Sequence, residues 1–161
     1  YRAAAEVVFG GLGAALLDVQ RVHGDFHLGQ VLHREADPPW VIIDFEGEPL
    51  KSLAERREPD SPWRDVAGLL RSLDYARSAH PEPEGEAARH WADAAQAAFL
   101  DGYSPAAPAA AILLAAYEFD KAVYEVVYEV RNRPDWAPIP WRAVQDVARR
   151  IALEPNTKEE H

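Results

Sequence analysis

Apolar residues recur at intervals of three and four positions along most of the chain, the spacing that places them on one face of an α-helix. The pattern predicts helices over 1–20, from 62 onward, 87–103, 109–131 and 140–153. Ser61 and Pro62 are typical of a helix start, with serine as N-cap and proline at the first helical position. The helix that follows repeats its apolar residues at Val66, Leu69, Leu70 and Leu73.

One short region has a different pattern. The segments "QVLHR" (30–34) and "WVIIDF" (40–45) are rich in β-branched and aromatic residues, and "EADPP" between them is typical of a turn. They predict two short strands. The chain is therefore expected to have a small β-hairpin followed by helices.

The longest predicted helix, 109–131, has two distinct faces. Its apolar stripe consists of Phe119, Val123, Val126, Val127 and Val130. A second face carries Tyr117, Lys121, Tyr124 and Tyr128 at the same period. An aromatic row at helical spacing is more often part of a core than of a binding site. Because the valine stripe is expected to fill the core, the tyrosine face is predicted to bind substrate.

Composition narrows the function classes. The 161 residues suit one domain, and the net charge of −10 argues against binding to nucleic acid or an anionic membrane. No segment resembles a membrane span or a signal peptide. The absence of cysteine excludes disulfides and thiolate metal sites, and it agrees with a cytoplasmic location. The helix-like start at Tyr1, without methionine, suggests a piece of a longer chain.

The segment "HGDFHLGQ" (23–30) carries the candidate chemistry. One interpretation is a metal cluster of His23, Asp25 and His27, since alternate residues of a strand share a face and these residue types bind zinc. A second interpretation is structural, with a buried histidine and a turn aspartate. A third is the catalytic loop of a phosphotransferase.

In phosphoryl transfer the protein mainly positions the reacting groups and neutralises the negative charge of the phosphates. It needs an aspartate beside the acceptor hydroxyl, a neutral oxygen that reaches Mg²⁺, and a second aspartate for the same metal. Asp25, Gln30 and Asp44 supply these groups in that order, and the predicted hairpin returns Asp44 to the loop. This combination favours the third interpretation.

The segments "VHGDFHLGQVL", "IDFEGEP" and "YEFDKAVYEVVYEVRNRPDWAPIP" resemble bacterial maltokinases, within the aminoglycoside phosphotransferase and choline kinase-like superfamily. The resemblance implies an α+β, mainly α-helical fold. Residues 1–153 would form a protein-kinase-like C-terminal lobe, whose short β-hairpin carries the catalytic and metal-binding segments, and 154–161 a polar tail. The N-terminal lobe that binds ATP is absent from this chain, so its nucleotide-binding residues are unknown and the chain alone is expected to be inactive.

The same resemblance implies a reaction and partners. Maltokinases use ATP and Mg²⁺ to convert maltose to maltose 1-phosphate for α-glucan synthesis, and some are fused or bound to trehalose synthase. Two alternatives remain open: a kinase for an amino sugar or amino alcohol, and a non-catalytic module that docks on trehalose synthase. A cationic substrate would require an acidic pocket, whereas the face with Lys121 suits a neutral sugar.

Residue roles follow from the resemblance. Asp25 would be the catalytic base, and Gln30 and Asp44 would hold Mg²⁺. His23 and Asp65 would support the loop, Asp65 by accepting backbone N–H bonds. The substrate-binding residues would be His27, Lys121, Tyr124 and Tyr128. Residues with no settled role that lie near these segments are Glu46, Arg57 and Trp136.

Overall fold

A computed structural model describes residues 19–49, 51–103 and 108–153. The predicted first helix, apart from its last two residues, and the predicted tail lie outside these ranges. The described chain is mainly helical with one two-stranded antiparallel sheet, as predicted. It divides into two compact units, which we call the hairpin unit (Leu16–Ala107) and the long-helix unit (Tyr1–Ala15 with Pro108–His161).

The hairpin unit contains both predicted strands. β1 (Val31–His33) pairs antiparallel with β2 (Trp40–Ile42), so that Val31 lies opposite Ile42. The backbone of Arg34 closes the connecting loop, because its amide donates to the carbonyl of Pro39 at 2.8 Å. The open end of this hairpin therefore brings the residue before β1, Gln30, next to the residues that follow β2.

Two helices complete the hairpin unit. α1 (Trp63–Ser78) packs against α2 (Glu86–Tyr103). The predicted apolar face of α1 is confirmed, since its four members are at most 6% exposed: Val66, Leu69, Leu70 and Leu73. The buried residues of α2 are alanines, Ala88 and Ala92, whose small side chains suit close helix packing.

The predicted start of α1 is wrong by one position. Pro62 is the N-cap, in a helical conformation, and α1 begins at Trp63. Ser61 lies one residue outside the helix, and its hydroxyl reaches only the amide of Trp63, at 3.4 Å. The buried Ser61 instead receives its backbone support from the Asp60 carboxylate, which accepts its N–H at 2.8 Å.

The long-helix unit contains α3 (Pro108–Asn132) and α4 (Pro138–Leu153). They pack around a cluster made of Phe119, Ala122, Ala143, Val144 and Val147. The predicted valine stripe of α3 is therefore wrong in part: Val123, Val127 and Val130 are 40%, 46% and 57% exposed. The buried face follows small residues instead, because alanines let α4 approach closely.

The buried face of α3 also includes a charge. Glu129 is 2% exposed, and both of its carboxylate oxygens accept from the Arg133 guanidinium, at 2.6 and 2.9 Å. A buried carboxylate is tolerated when it is paired in this bidentate way. No helix of the described ranges is long and apolar enough to cross a membrane.

The buried face of α1 predicts a difference between two leucine substitutions. Leu70→Ala should lower the free energy of unfolding by about 2–5 kcal/mol, because Leu70 is 3% exposed and its loss leaves a cavity. Leu53→Ala is the control, since Leu53 is 68% exposed and should change stability by about 0.5 kcal/mol or less. Urea unfolding followed by circular dichroism measures both. Equal effects of the two substitutions would contradict the assignment of the core.

Candidate active site

The loop that contains Asp25 is fixed to the first turn of α1. The Asp65 carboxylate accepts the backbone N–H groups of His23 at 2.6 Å and of Gly24 at 2.9 Å. Gly24 has a φ of +86°, a conformation that glycine adopts without strain. Hydrogen bonds to a charged acceptor are among the stronger ones in proteins, so Asp65 holds the entry to the loop firmly.

Two further residues of α1 contact the same loop, and sequence reasoning missed both. The carbonyl oxygen of Phe26 lies so close to Gly68 that a Cβ built there would be 2.5 Å from it. One turn later the Ser72 hydroxyl accepts the amide of Leu28 at 3.0 Å. The signal available in the sequence was spacing, since residues 65, 68 and 72 lie on one helix face.

His23 connects the loop to the end of β2. Its ring is 7% exposed, and its Nε2 donates to the carbonyl of Ile43 at 2.7 Å. The same ring lies 5.4 Å from the ring of Phe26 and 4.9 Å from that of Phe45. Nδ1 of the same ring accepts the amide of Asp25 at 3.4 Å.

These contacts leave the zinc interpretation without support. Nδ1 of His27 accepts the amide of Gly29 at 3.0 Å and so caps the short 3-10 helix Leu28–Gln30. Among the residues that the structure describes, no group of three metal-binding side chains comes together. The role of His27 in substrate binding stays a prediction.

The two predicted magnesium ligands lie side by side. The amide group of the Gln30 side chain is 3.0 Å from the Asp44 carboxylate. The backbone holds this pair, because Ile43 donates its amide to the carbonyl of Gln30 at 3.0 Å. Asp44 itself has a φ of +62°, an unusual conformation for a residue other than glycine.

The donor chemistry of this pair suits Mg²⁺. The ion is usually held by one or two carboxylates together with water and substrate phosphates, rather than by a complete protein cage. Asp44 supplies a carboxylate, and Gln30 supplies an amide whose oxygen is a suitable ligand when that group turns toward the ion. Asp25, half-buried in the loop five residues before Gln30, belongs to the same compact region.

The backbone at Gly24 lies directly against the backbone at Gly47. Gly24 and Gly47 both have positive φ, and a Cβ on Gly24 would lie 3.3 Å from the Cα of Gly47. The segment after Asp44 therefore folds back against the start of the loop. Glu46 and Arg57, whose roles the sequence left open, lie exposed in this unit.

The tyrosine face lies on α3. Tyr124 and Tyr128 are about 40% exposed, and the Lys121 ammonium is 5.6 Å from the centre of the Tyr124 ring. The Arg133 guanidinium lies 5.7 Å from the Tyr128 ring and 4.9 Å from the Trp136 ring. Since the opposite valines do not fill the core, that reason for assigning this face to substrate is lost. Its role in substrate binding stays a prediction.

Asp65 also affects the pKa of Tyr103, at the end of α2. Burial raises the pKa of the Tyr103 phenol above its usual value, and the nearby negative charge of Asp65 raises it further. Its ring contacts those of Trp63 and Phe99. The end of α2 is therefore packed next to the residue that holds the loop.

Curated relatives of this chain are glucosamine kinases. The enzyme from Streptacidiphilus jiangxiensis is 32% identical over 146 residues, which cover 84% of this chain and 32% of the relative. The enzyme from Mycolicibacterium smegmatis is 30% identical over 149 residues, which cover 84% of this chain and 36% of the relative. The chain thus spans about a third of the length of these relatives. No protein-family model matches it.

Solved structures give the same class of protein. A glucosamine kinase in one crystal form has a TM-score of 0.76 at 30% identity, and the match covers 92% of this chain and 39% of that one. A glucosamine kinase in complex with glucosamine, ADP and inorganic phosphate has a TM-score of 0.69 at 23% identity, covering 91% and 43%. The second likeness shows the fold alone. The chain therefore has the fold of a part of a sugar kinase.

These findings correct the prediction of a maltokinase. The relatives are named for glucosamine, so maltose as substrate and trehalose synthase as partner are both wrong. The motif around Asp25 was read for phosphoryl transfer, whose requirements are shared by kinases with different acceptors. Lys121 suggested a neutral sugar. On the same helix Glu118 and Glu129 are paired with Arg150 and Arg133, whereas Asp120 is exposed.

Substitution of Asp65 tests whether its carboxylate holds the backbone of His23 and Gly24 in place. Asp65→Asn should lower the free energy of unfolding by about 1–3 kcal/mol, because it removes the charge from an acceptor of two backbone bonds. Amide exchange at His23 and Gly24 should become faster, measured by hydrogen–deuterium exchange and NMR. The control is Asp93→Asn on the exposed side of α2. Unchanged exchange at both amides would contradict the anchor.

Proposed function

We propose that residues 1–153 form the C-terminal, protein-kinase-like lobe of an ATP-dependent kinase that phosphorylates a hydroxyl of glucosamine. One observation carries the proposal: the hairpin holds Gln30 within 3.0 Å of Asp44, at the end of the loop that contains Asp25. These three groups are the ones that phosphoryl transfer requires from this half of a kinase. The glucosamine kinases among the relatives support the choice of acceptor.

Asp25 acts as the base in this proposal. Its carboxylate accepts a hydrogen bond from the attacking sugar hydroxyl and orients that hydroxyl toward the γ-phosphate. It takes the hydroxyl proton as the new oxygen–phosphorus bond forms and the bond from the γ-phosphate to ADP breaks, with ADP as the leaving group. The backbone on the two sides of Asp25 is fixed by Asp65 and by α1. Such fixed placement contributes to rate because the reacting atoms need not be ordered at the moment of reaction.

Gln30 and Asp44 would hold Mg²⁺, which neutralises negative charge on the nucleotide phosphates when it is bound. The ADP and phosphate bound to a glucosamine kinase of the same fold support ATP as the phosphate donor. The groups that would grip the nucleotide from the other side belong to an N-terminal lobe. We propose that this lobe is supplied by sequence outside residues 1–153.

The charge of the chain suits an amino sugar. Glucosamine carries an ammonium group when protonated, and a net charge of −10 attracts cations to the surface. The net charge therefore favours a cationic amino sugar over a neutral disaccharide as the acceptor.

The test uses the full-length kinase with ATP, Mg²⁺ and glucosamine, followed by coupled detection of ADP. Asp25→Asn should lower kcat by about 10²–10⁴-fold, because the amide cannot take the proton from the hydroxyl. Asp37→Asn, on the exposed loop between β1 and β2, is the matched control and should retain wild-type kcat.

Three results would contradict the proposal. They are an absence of glucosamine-dependent ADP release by the wild-type kinase, activity with maltose that exceeds activity with glucosamine, and a kcat for Asp25→Asn equal to that of the control. The first two results would contradict glucosamine as the acceptor. The third would contradict the assignment of Asp25 as the base.

A further inference from the structure

The loop runs along α1 with a contact at nearly every second residue. His23 and Gly24 bind Asp65, Phe26 lies against Gly68, and Leu28 binds Ser72. The proposed base, Asp25, lies between the first and second of these contacts. The proposed metal ligand, Gln30, lies two residues beyond the third. A single helix face thus sets the backbone of both functional residues.

Gly68 is the tightest point of this face. The atom that a Cβ would meet at 2.5 Å is a backbone oxygen, that of Phe26, and not the end of a flexible side chain. Glycine is unfavourable in the interior of a helix, and Gly68 lies in the second turn of α1 with an apolar residue on either side. The close approach of the loop gives a physical reason for glycine at this position.

Ser72 fixes the other end of the loop. Its hydroxyl donates to the carbonyl of Leu69 at 2.7 Å and accepts the amide of Leu28 at 3.0 Å. The first bond orients the hydroxyl so that its lone pairs face the loop. Leu28 opens the short 3-10 helix that ends at Gln30, so Ser72 holds the segment that connects base and metal ligand.

We propose that Gly68 and Ser72 are positioning residues that set the location of Asp25 relative to Gln30 and Asp44. The inference rests on the proposed function for its kinetic consequence, and on the contacts with α1 for its structural one. A Cβ at residue 68 must push the Phe26 carbonyl away from the helix. Because Asp65 keeps His23 and Gly24 in place, the displacement falls on Asp25 and Phe26.

Gly68→Ala in the full-length kinase is the principal test. The expected result is a fall of kcat for glucosamine of about 10–100-fold, because misplacement of a reacting group by about 1 Å has effects of this size. KM should stay within about twofold, since ground-state sugar binding does not depend on the base. Gly102→Ala is the matched control, because nothing lies within 4 Å of a Cβ there.

Ser72 provides an independent variant that leaves the helix backbone unaltered. Ser72→Ala should lower kcat less than Gly68→Ala does and should speed exchange of the Leu28 amide, while Ser72→Thr, which keeps the hydroxyl, should restore both. The matched control is Ser78→Ala on the same helix, whose hydroxyl bonds only within α1, to the carbonyl of Asp74 at 2.9 Å. Thermal melting of every variant measures the effect on folding separately.

The outcomes separate this inference from the proposed function. Wild-type kcat in Gly68→Ala, or equal losses in Gly68→Ala and Gly102→Ala, would overturn the inference. A loss expressed only in KM would overturn it as well. A wild-type kinase without glucosamine-dependent activity would overturn the proposed function instead. In that case unchanged exchange at Leu28 in Ser72→Ala would overturn the inference too, and faster exchange would support its structural part.

Discussion

The arrangement of the hairpin unit depends on one carboxylate that accepts two consecutive backbone amides. Asp65 binds the N–H groups of His23 and Gly24, and it does so from the first turn of a helix whose opposite face is buried in the core. Because movement of α1 would open that core, the packing of α1 also restrains the loop that Asp65 holds. Gly68 and Ser72 extend the contact along two further turns.

The β-hairpin begins directly after this fixed loop and is joined to it by hydrogen bonds. His23 bonds to the carbonyl of Ile43, the pairing of Val31 with Ile42 sets the register, and Gln30 consequently meets Asp44. A one-residue change of register would move every side chain of a strand to the other face and separate this pair. Three-residue strands suffice because the contacts of His23 and of the two glycines, Gly24 and Gly47, hold their open end.

The sequence predicted the elements well where one physical signal dominated. β-branched residues marked the two strands, and regular leucine spacing marked the buried face of α1. The valine stripe of α3 failed because hydrophobicity was weighed without volume: alanines permit closer packing than valines do. Glu129 is buried for another reason, its bidentate pairing with Arg133. Gly68 was invisible because its importance comes from a backbone atom 42 positions earlier, Phe26 O. The acceptor was misassigned because the motif around Asp25 answers requirements of phosphoryl transfer that kinases with different acceptors share.

The most direct test of a metal site at Gln30 and Asp44 is paramagnetic relaxation by Mn²⁺, which replaces Mg²⁺ at sites made of carboxylate and carbonyl oxygens. Mn²⁺ with ADP should first broaden the NMR signals of the Gln30 side-chain amide and the Asp44 backbone amide. The signals at the far end of the hairpin, His33 and Trp40, should be affected less. Asp44→Asn should abolish the selective broadening. Broadening centred elsewhere, or unchanged in Asp44→Asn, would contradict a metal-dependent transfer site built by this loop and hairpin.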